Sequence, residues 1–527
     1  MDERYLRVSR GELVADAVRA AGFALDFDCG GRGKCGKCRV EVVDESGRRR
    51  TVAACQERAK DALFVDLSKL TLERSKIYAP EEDSNDVGHE TSIEERKGEF
   101  GLAVDLGTTT VVCSLVSLAS GRSFDRLSSR NPQLEFGRDV LSRIVAARDA
   151  SRAETMRLSV AQTIASSALE LTRRVGVAPS RIAEIVVAGN TTMERLFAGL
   201  DVQALGVAPF TLDSKSFREY GAEEWPAFER IGRPKVKFAP VVSAFIGGDA
   251  LVGVARLRRL NAFGNERNEL LLDLGTNGET IVATKGRLYA SSSAAGPAFE
   301  GSEISQGSLA TPGAICSIQY DVDANFWNAR TIGDLPALGV CGSGLIDGLA
   351  AALDSLVLAP TGRFLSVADA KKKCLAFADR VREEGRERSF ILSNELTDAA
   401  FVKLTQRDVR QAQLALGATK ACARLLLKSA GLEESSLDVV YLAGGFGSTL
   451  DRQNARRVGI TPYGARNAAL VYCGNTSLLG AEDALTQRVA WSALEETAAS
   501  VECVELASRP DFTDAFADAL RFPDRKE

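Results

Sequence analysis

The sequence predicts two unlike globular parts joined by an acidic linker: a small α+β domain built around cysteines, then a larger, internally duplicated α/β part. Three observations carry this. Residues 29–38, CGGRGKCGKC, crowd three cysteines and four glycines together. The peptide Asp-Leu-Gly-Thr occurs at 105–108 and again at 273–276, 168 residues later, each time closing an apolar, strand-like run. Between these features, PEEDSNDVGHETSIEERKGEF carries eight acids and no strong periodicity, the composition of a solvated connection. The expected boundaries are 1–72 for the small domain, 73–99 for the linker, and 100–265 and 266–527 for the two halves of the large part.

Bulk composition narrows the function classes. A chain of 527 residues with 45% hydrophobic and 26% charged residues can build full cores. A net charge of −5 offers no global basic field, so neither nucleic acid nor an anionic membrane is an expected partner. The first residues show no basic-then-apolar leader, and no run of about 20 apolar residues occurs, so a cytoplasmic protein is expected. Eleven cysteines then point to thiols, metal sites or redox chemistry rather than a disulfide framework. The single histidine, His89, sits in the acidic linker. Histidine-dependent triads, multi-histidine metal sites and cobalamin held by a histidine beneath cobalt are thereby disfavoured.

The cysteine spacing is Cys29-x5-Cys35-x2-Cys38, then sixteen residues to Cys55. Four thiolates so spaced hold one 2Fe–2S cluster or one zinc. Zinc sites more often show two Cys-x2-Cys pairs; three ligands on one loop with a distant fourth is ferredoxin-like. Glycines let such a loop curl and aim N–H groups at the sulfurs. One 2Fe–2S cluster on Cys29, Cys35, Cys38 and Cys55 is expected, with zinc and free thiols as the alternatives. The flanks agree: YLRVS and CRVEVVD alternate as strands, and GELVADAVRAAG has helical spacing up to Gly22. This is the element order of ferredoxins with the x5 spacing, although the Cys38–Cys55 stretch is shorter than usual. Gly31-x4-Gly36-Lys37 mimics a nucleotide P-loop, but Cys38 stands where Ser or Thr would bind magnesium, and a strand follows instead of a helix. The loop also carries Arg32, Lys34, Lys37 and Arg39 with no acid. Such a face would steer an acidic partner surface; the plainer reading is a solvated loop. The other cysteines, at 113, 316, 341, 374, 422, 473 and 503, lack short metal spacing and are expected to be buried thiols.

Each Asp-Leu-Gly-Thr copy reads as a strand ending in Asp, a tight turn and a second strand: GLAVDLGTTTVVCSLVSL at 101–118 and ELLLDLGTNGETIVAT at 269–284. Gly107 and Gly275 permit a hairpin whose backbone N–H groups can surround phosphate oxygens. The hydroxyls of Thr108, Thr109 and Thr110, and Thr276, Asn277 and Gly278 on the other side, complete the surround. Asp105 and Asp273 stand at strand ends, where a carboxylate holds hydrated magnesium. One such turn alone is ordinarily a plain β-turn; two, both strand-bounded, read as a clamp on a triphosphate. Further on, LDVVYLAGGFGSTLD (437–451) runs from a strand over 438–443 into Gly444, Gly445 and Gly447, where a flat adenosine can lie against backbone. The bland alternative there is a helix-entry turn.

In this order the three elements resemble the phosphate 1, phosphate 2 and adenosine motifs of the actin/sugar-kinase/Hsp70 (ASKHA) ATPases. The resemblance narrows with NPQLEFGRDVLSRI (131–144), VVAGNTTMERLFAGLDVQALGVAPF (186–210), AAGPAFEGSEISQG (294–307), GVCGSGLID (339–347), TQRDVRQAQLA (405–415) and GNTSLLGA (474–481). Together these resemble the reductive activators of corrinoid proteins, which join an N-terminal 2Fe–2S ferredoxin to an ASKHA ATPase. The implied fold is a small β-grasp ferredoxin domain followed by a duplicated, ribonuclease-H-like ASKHA ATPase. The implied activity is ATP-dependent transfer of one electron from the cluster to Co(II) of a corrinoid protein, regenerating Co(I) for methyl transfer. It implies ATP with Mg2+, Asp105 and Asp273 as the catalytic pair, a corrinoid protein of a methyltransferase system and an upstream electron donor as partners, and leaves a homodimer open. Members of this family also carry a middle domain, in whose place only the acidic linker is expected here. The rival readings are ATP-coupled activation of a dehydratase or reductase, a small-molecule kinase with a fused redox domain, and a ferredoxin carrier with a degenerate nucleotide fold. Intact Asp105, Asp273 and glycines oppose the last.

Overall fold

Strand-like alternation near the N-terminus produces a four-stranded sheet of β1 (Tyr5–Val8), β2 (Arg39–Asp44), β3 (Arg49–Ala53) and β4 (Leu63–Asp66), ordered β1-β4-β2-β3 and antiparallel throughout. Helix α1 (Val14–Ala20) buries Val14 and Val18 against Val8, Val42 and Val65 of the sheet. The β2–β3 hairpin pairs Arg39 with Ala53, so its open end brings Cys38 beside Cys55. A computed structural model of the chain describes residues 5–21, 38–44, 46–67, 98–216, 218–264, 266–301, 303–396, 401–444, 450–506 and 509–524. Cys29, Cys35, Arg32, Lys34, Lys37, the linker up to residue 97, Gly445 and Gly447 lie outside the described residues.

The large part contains two six-stranded sheets. The first comprises β5 (Phe100–Leu106), β6 (Thr110–Ser117), β7 (Ser123–Arg130), β8 (Ile182–Gly189), β9 (Arg218–Tyr220) and β10 (Lys235–Phe238), in the order β7-β6-β5-β8-β10-β9. Its helices are α2 (Val140–Ala146), α3 (Ala150–Val175), α4 (Thr191–Phe197) and α5 (Gly248–Arg259). The second sheet is built from β11 (Glu269–Leu274), β12 (Gly278–Thr284) and β13 (Arg287–Ser293), joined by three strands from further along the chain. Before those come β14 (Ala314–Asp321), β15 (Phe326–Thr331) and β16 (Gly339–Val340), then α6 (Gly342–Asp354), α7 (Val367–Lys372), β17 (Val381–Glu384), β18 (Glu387–Ile391), β19 (Lys403–Thr405) and α8 (Gln406–Ser429). The chain ends with β20 (Val439–Ala443), α9 (Arg452–Val458), β21 (Ala469–Gly474), α10 (Thr476–Leu485), α11 (Trp491–Ser500), β22 (Val501–Cys503) and α12 (Phe512–Ala519). The second sheet runs β21-β20-β11-β12-β13-β22; β14–β16 and β17–β19 form two small three-stranded sheets.

The duplication is visible in the pairing. In each half an antiparallel meander (β5–β6–β7 or β11–β12–β13) continues into two parallel strands, β8 and β10 or β20 and β21. The central strands β5 and β11 are apolar almost throughout because both faces are covered. Helix α3 shows how the outer layer is specified: Asp149 caps its start, Gly176 in the left-handed conformation ends it, and Met156, Val160, Ile164, Ala168 and Leu171 form its buried stripe. A third core joins the halves, placing Ala103 and Val186 with Leu271 and Ile281. Helix α10, late in the sequence, packs on α5, β5 and β8 of the first half. No described helix is long and apolar enough to cross a membrane.

Candidate nucleotide cleft and cysteine pair

The first hairpin closes through Gly107 N–H donating to the Thr110 carbonyl at 2.9 Å. A Cβ on Gly107 would sit 2.9 Å from that same carbonyl oxygen, so glycine is needed there for close approach. The turn is braced from behind. Asn131, fully buried, donates its side-chain amide to the Gly107 carbonyl (2.7 Å) and its N–H to the Thr109 carbonyl (2.8 Å). The buried Arg143 guanidinium donates to the Thr108 carbonyl, to the Gly137 carbonyl (3.0 Å) and to Gln133 Oε1 (3.3 Å). Burial pushes Arg143 down to about 9, because a dry surround penalises the charged form.

The second hairpin faces the first. Thr109 Oγ1 and Thr276 Oγ1 are 3.1 Å apart, within hydrogen-bond reach. Thr276 also donates its N–H (2.9 Å) and its hydroxyl (2.6 Å) to the Glu300 carboxylate. Between the hairpins lies a cleft of about 520 Å³. Asp105, Gly107, Thr108, Thr109 and Thr110 line one side, Asp273, Gly275, Thr276 and Asn277 the other, and Gly444, at the end of β20, joins the lining. Gly444 has φ +116°, and a Cβ there would meet the Leu274 carbonyl oxygen at 2.5 Å; both facts demand glycine. Gly278, expected beside the phosphates, is not among the residues that line the cleft. Gly278 opens β12, is buried, and faces Ser293 and Thr419 away from the cleft lining. The turn had already ended one residue earlier, so Gly278 serves strand packing.

Carboxylates dominate the cleft electrostatically. Asp105 accepts from Asn475 Nδ2 and Ser477 Oγ, both at 2.8 Å, which fixes its rotamer. Burial raises its pKa; those two hydrogen bonds oppose the shift and nearby Glu300 adds to it. Asp249, at the start of α5, and Glu279, on β12, line the same space. Burial raises both; the Asp105 charge adds to the rise at Asp249, and Asp249 and Asp273 add to it at Glu279. Among the described residues no three His, Cys, Asp or Glu side chains form a ready-made metal cage. Sequence reasoning missed Asn131, Arg143, Asp249, Glu279, Glu300, Asn475 and Ser477 as site residues. Most fall inside the peptides that carried the resemblance, which marked them without giving them roles. Asp249 had only a Gly-Gly-Asp helix entry as its signal.

In the small domain Cys38 Sγ and Cys55 Sγ are 3.2 Å apart and buried. This is well beyond a disulfide bond of about 2.05 Å. It lies somewhat inside the roughly 3.8 Å edge of a tetrahedral site with arms of about 2.3 Å. The pair thus fits two thiolates on one metal atom. Gln56 Nε2 lies 3.9 Å from Cys55 Sγ and donates to the Cys55 carbonyl at 3.1 Å, placing an amide beside the sulfur. The expectation of seven further buried thiols needs correction. Cys113, Cys341 and Cys422 are buried, Cys316 and Cys473 half-buried, and Cys374 and Cys503 exposed. Burial pushes Cys113 up to about 12 and Cys422 up to about 11, which leaves both as inert thiols at neutral pH.

A thiolate-bearing ferredoxin-type domain ahead of a two-hairpin phosphate cleft defines an ASKHA-type ATPase with a fused iron–sulfur electron carrier. The family models agree. Residues 2–61 match the 2Fe-2S iron-sulfur cluster binding domain, 100–259 the RACo middle region, and 267–527 the C-terminal domain of RACo, the ASKHA domain. The chain belongs to the reductive activators of corrinoid proteins. It is 27% identical to the corrinoid activation enzyme RamQ of Eubacterium limosum, over 99% of this chain and 98% of that protein. It is 25% identical to a [Co(II) methylated amine-specific corrinoid protein] reductase of Methanosarcina barkeri, over 74% of this chain and 70% of that one. A solved reductive activator for a corrinoid, iron-sulfur protein superposes with a TM-score of 0.73 at 28% identity, covering 98% of this chain and 96% of the other. The match to the RACo middle region at 100–259 falls on the first ATPase half, and no family model matches between residues 61 and 100. The alignment with RamQ spans 594 positions against 527 residues here, so RamQ carries residues that this chain lacks.

Proposed function

We propose that this protein reactivates a corrinoid protein by ATP-dependent reduction, passing one electron from its N-terminal 2Fe–2S cluster to Co(II) and regenerating Co(I) for methyl transfer. One observation carries the reading: a buried thiol pair, Cys38 and Cys55, and a phosphate cleft closed by Thr109 and Thr276 belong to one chain. Cys29, Cys35, Cys38 and Cys55 would hold the cluster, which supplies one-electron chemistry. An electron transfer needs no ATP unless the acceptor is hard to reduce, and Co(II) is such an acceptor. The names of the relatives support the same acceptor.

In the cleft, Thr108–Thr110 and Thr276–Asn277 surround the phosphates of ATP, and the turn at Gly444 takes the adenosine. Asp105, pinned by Asn475 and Ser477, and Asp273 would hold Mg2+, which when bound would offset the phosphate charge. Arg143 and Asn131 keep the first hairpin's carbonyls turned inward, so that its N–H groups point at the nucleotide. Coupling to the partner requires that the ATP-bound and ATP-free states differ in affinity for the corrinoid protein. A methyltransferase system supplies that partner, and a cellular reductant reloads the cluster.

The deciding experiment mixes the reduced protein with a Co(II) corrinoid protein and follows the visible spectrum with and without MgATP. Conversion to Co(I) only with ATP supports the reading. A phosphorylated small molecule with no change at cobalt would reassign the chain to the kinases.

A further inference from the structure

The Glu300 carboxylate takes both the N–H (2.9 Å) and the hydroxyl (2.6 Å) of Thr276. These two donors are the ones the second hairpin offers a phosphate. A carboxylate placed on them imitates one phosphate face: two acceptor oxygens on an N–H and an O–H at a tight turn. Glu300 also raises the Asp105 pKa across the cleft and lies in the field of Arg143 beneath the opposite hairpin. Its charge therefore stands between the two halves of the clamp. A nucleotide phosphate and this carboxylate cannot share the same donors, and like charges at contact in a low-dielectric cleft repel strongly.

Glu300 is not an isolated side chain. It closes the turn Pro297–Glu300 and leads into a segment folded tightly on itself: a Cβ on Gly307 would lie 2.0 Å from the Gly301 carbonyl oxygen. That segment is tied to distant elements. Ser305 donates its N–H (2.7 Å) and its hydroxyl (2.5 Å) to Asp408, the residue that completes the capping box of α8. Gln306 Oε1 accepts from Lys403 N at 2.8 Å, and Gly307 bridges to Val340 beside the entry to α6. The 303–308 segment thus connects the neighbourhood of Glu300 to the N-terminal ends of α6 and α8.

We propose that Glu300 is a built-in anion occupying the phosphate 2 hairpin, that MgATP evicts it, and that its release frees the 303–308 segment as the mechanical output of nucleotide binding. Glu300 is a positioning residue and a competitor, acting on the nucleotide through Thr276. The inference rests on the cleft being the ATP site. Because the competitor must be displaced, it lowers the apparent affinity for nucleotide by the fraction of time it holds the site.

The test measures binding of a non-hydrolysable ATP analogue with Mg2+ by calorimetry, and hydrogen exchange in peptides covering 303–308, for the full chain and for Glu300→Ala. Removing a competitor held by two charge-assisted hydrogen bonds is expected to tighten binding roughly tenfold. In the wild type the analogue should speed exchange over 303–308. In the variant exchange should be fast already and indifferent to nucleotide. Equal or weaker binding by Glu300→Ala would make Glu300 a nucleotide or magnesium ligand and overturn the proposal. So would wild-type exchange that ignores the analogue. If Glu300→Ala fails to fold, as judged by circular dichroism, Glu300→Gln keeps the shape, removes the charge, and should show a smaller gain in the same direction. A wild-type protein that binds no nucleotide at all sinks the ATP reading instead, which separates the two failures.

Discussion

Thr109 and Thr276 are 167 residues apart in the chain, yet their hydroxyl oxygens are 3.1 Å apart at the tips of two hairpins. The contact exists because each hairpin ends the equivalent central strand, β5 or β11, of two sheets sharing one apolar interface. The two carboxylates behind those tips, Asp105 and Asp273, therefore look into one space.

Replacing either carboxylate should stop turnover while leaving the rest of the molecule intact. Asp105→Asn and Asp273→Asn are each expected to lower ATP hydrolysis by about 100- to 1,000-fold, the usual scale for a lost electrostatic contribution to phosphoryl transfer. Phosphate release assays check this, with the visible cluster spectrum as the control. Normal turnover in both variants would move the magnesium site elsewhere.

The cleft should bind nucleotide only together with a divalent cation. Asp105, Asp249, Asp273, Glu279 and Glu300 all line it, against one arginine, Arg126, among the described lining residues. A bare triphosphate entering that field meets repulsion that a bound Mg2+ reverses. Calorimetric titration with ATP in EDTA is expected to show affinity at least about tenfold weaker than with Mg2+ present. Metal-independent binding would show that the carboxylates do not face the phosphates.

Cluster and ATPase should come apart by mutation. The anaerobically purified protein is expected to be red-brown, with about two iron and two sulfide per chain. Cys55→Ala should lose both, since it removes one of the two thiols that meet at 3.2 Å. Its thermal unfolding should still show the large transition of the ATPase halves, whose cores contain no residue of the small domain among the described residues. Zinc without sulfide in the wild type would reject the iron–sulfur reading.

One buried acid away from the phosphate tips gives a pH signature. Asp347 on α6 accepts from Ile318 N (2.9 Å) and Asn454 Nδ2 (2.8 Å), and burial pushes its pKa up to about 7 from an unfolded value of 3.8. A carboxyl whose folded pKa is raised binds more protons folded than unfolded, so its contribution to stability falls as pH rises from about 4 to about 7. The penalty is complete above that window and absent below it. Denaturant unfolding of the wild type and of Asp347→Asn at pH 5 and pH 8 measures it. The wild type's advantage should be larger at pH 5, by on the order of 2 kcal/mol. An advantage independent of pH would mean that Asp347 stays ionised throughout.

Parts whose chemistry is local were legible in the amino-acid order. Four thiols on a glycine-rich loop and a following hairpin announce a metal-thiolate domain, and Cys38 and Cys55 do meet, because the β2–β3 register leaves them no alternative. The doubled Asp-Leu-Gly-Thr announces two phosphate turns, since a strand, an acid and a glycine turn are contiguous in the chain. The surroundings of those turns come from long-range packing. Asn475 and Ser477 reach Asp105 from 370 and 372 residues away because α10 packs on the first half. Arg143 braces Thr108 from a helix start, and Glu300 takes Thr276 from a turn beyond β13. Gly278 shows the reverse case: contiguous with the motif, it was expected in the cleft, and strand pairing turned it into the sheet. Periodicity and motif spacing record what neighbouring residues do together. Contacts made by residues hundreds of positions apart depend on how buried faces pack, and no local pattern encodes that.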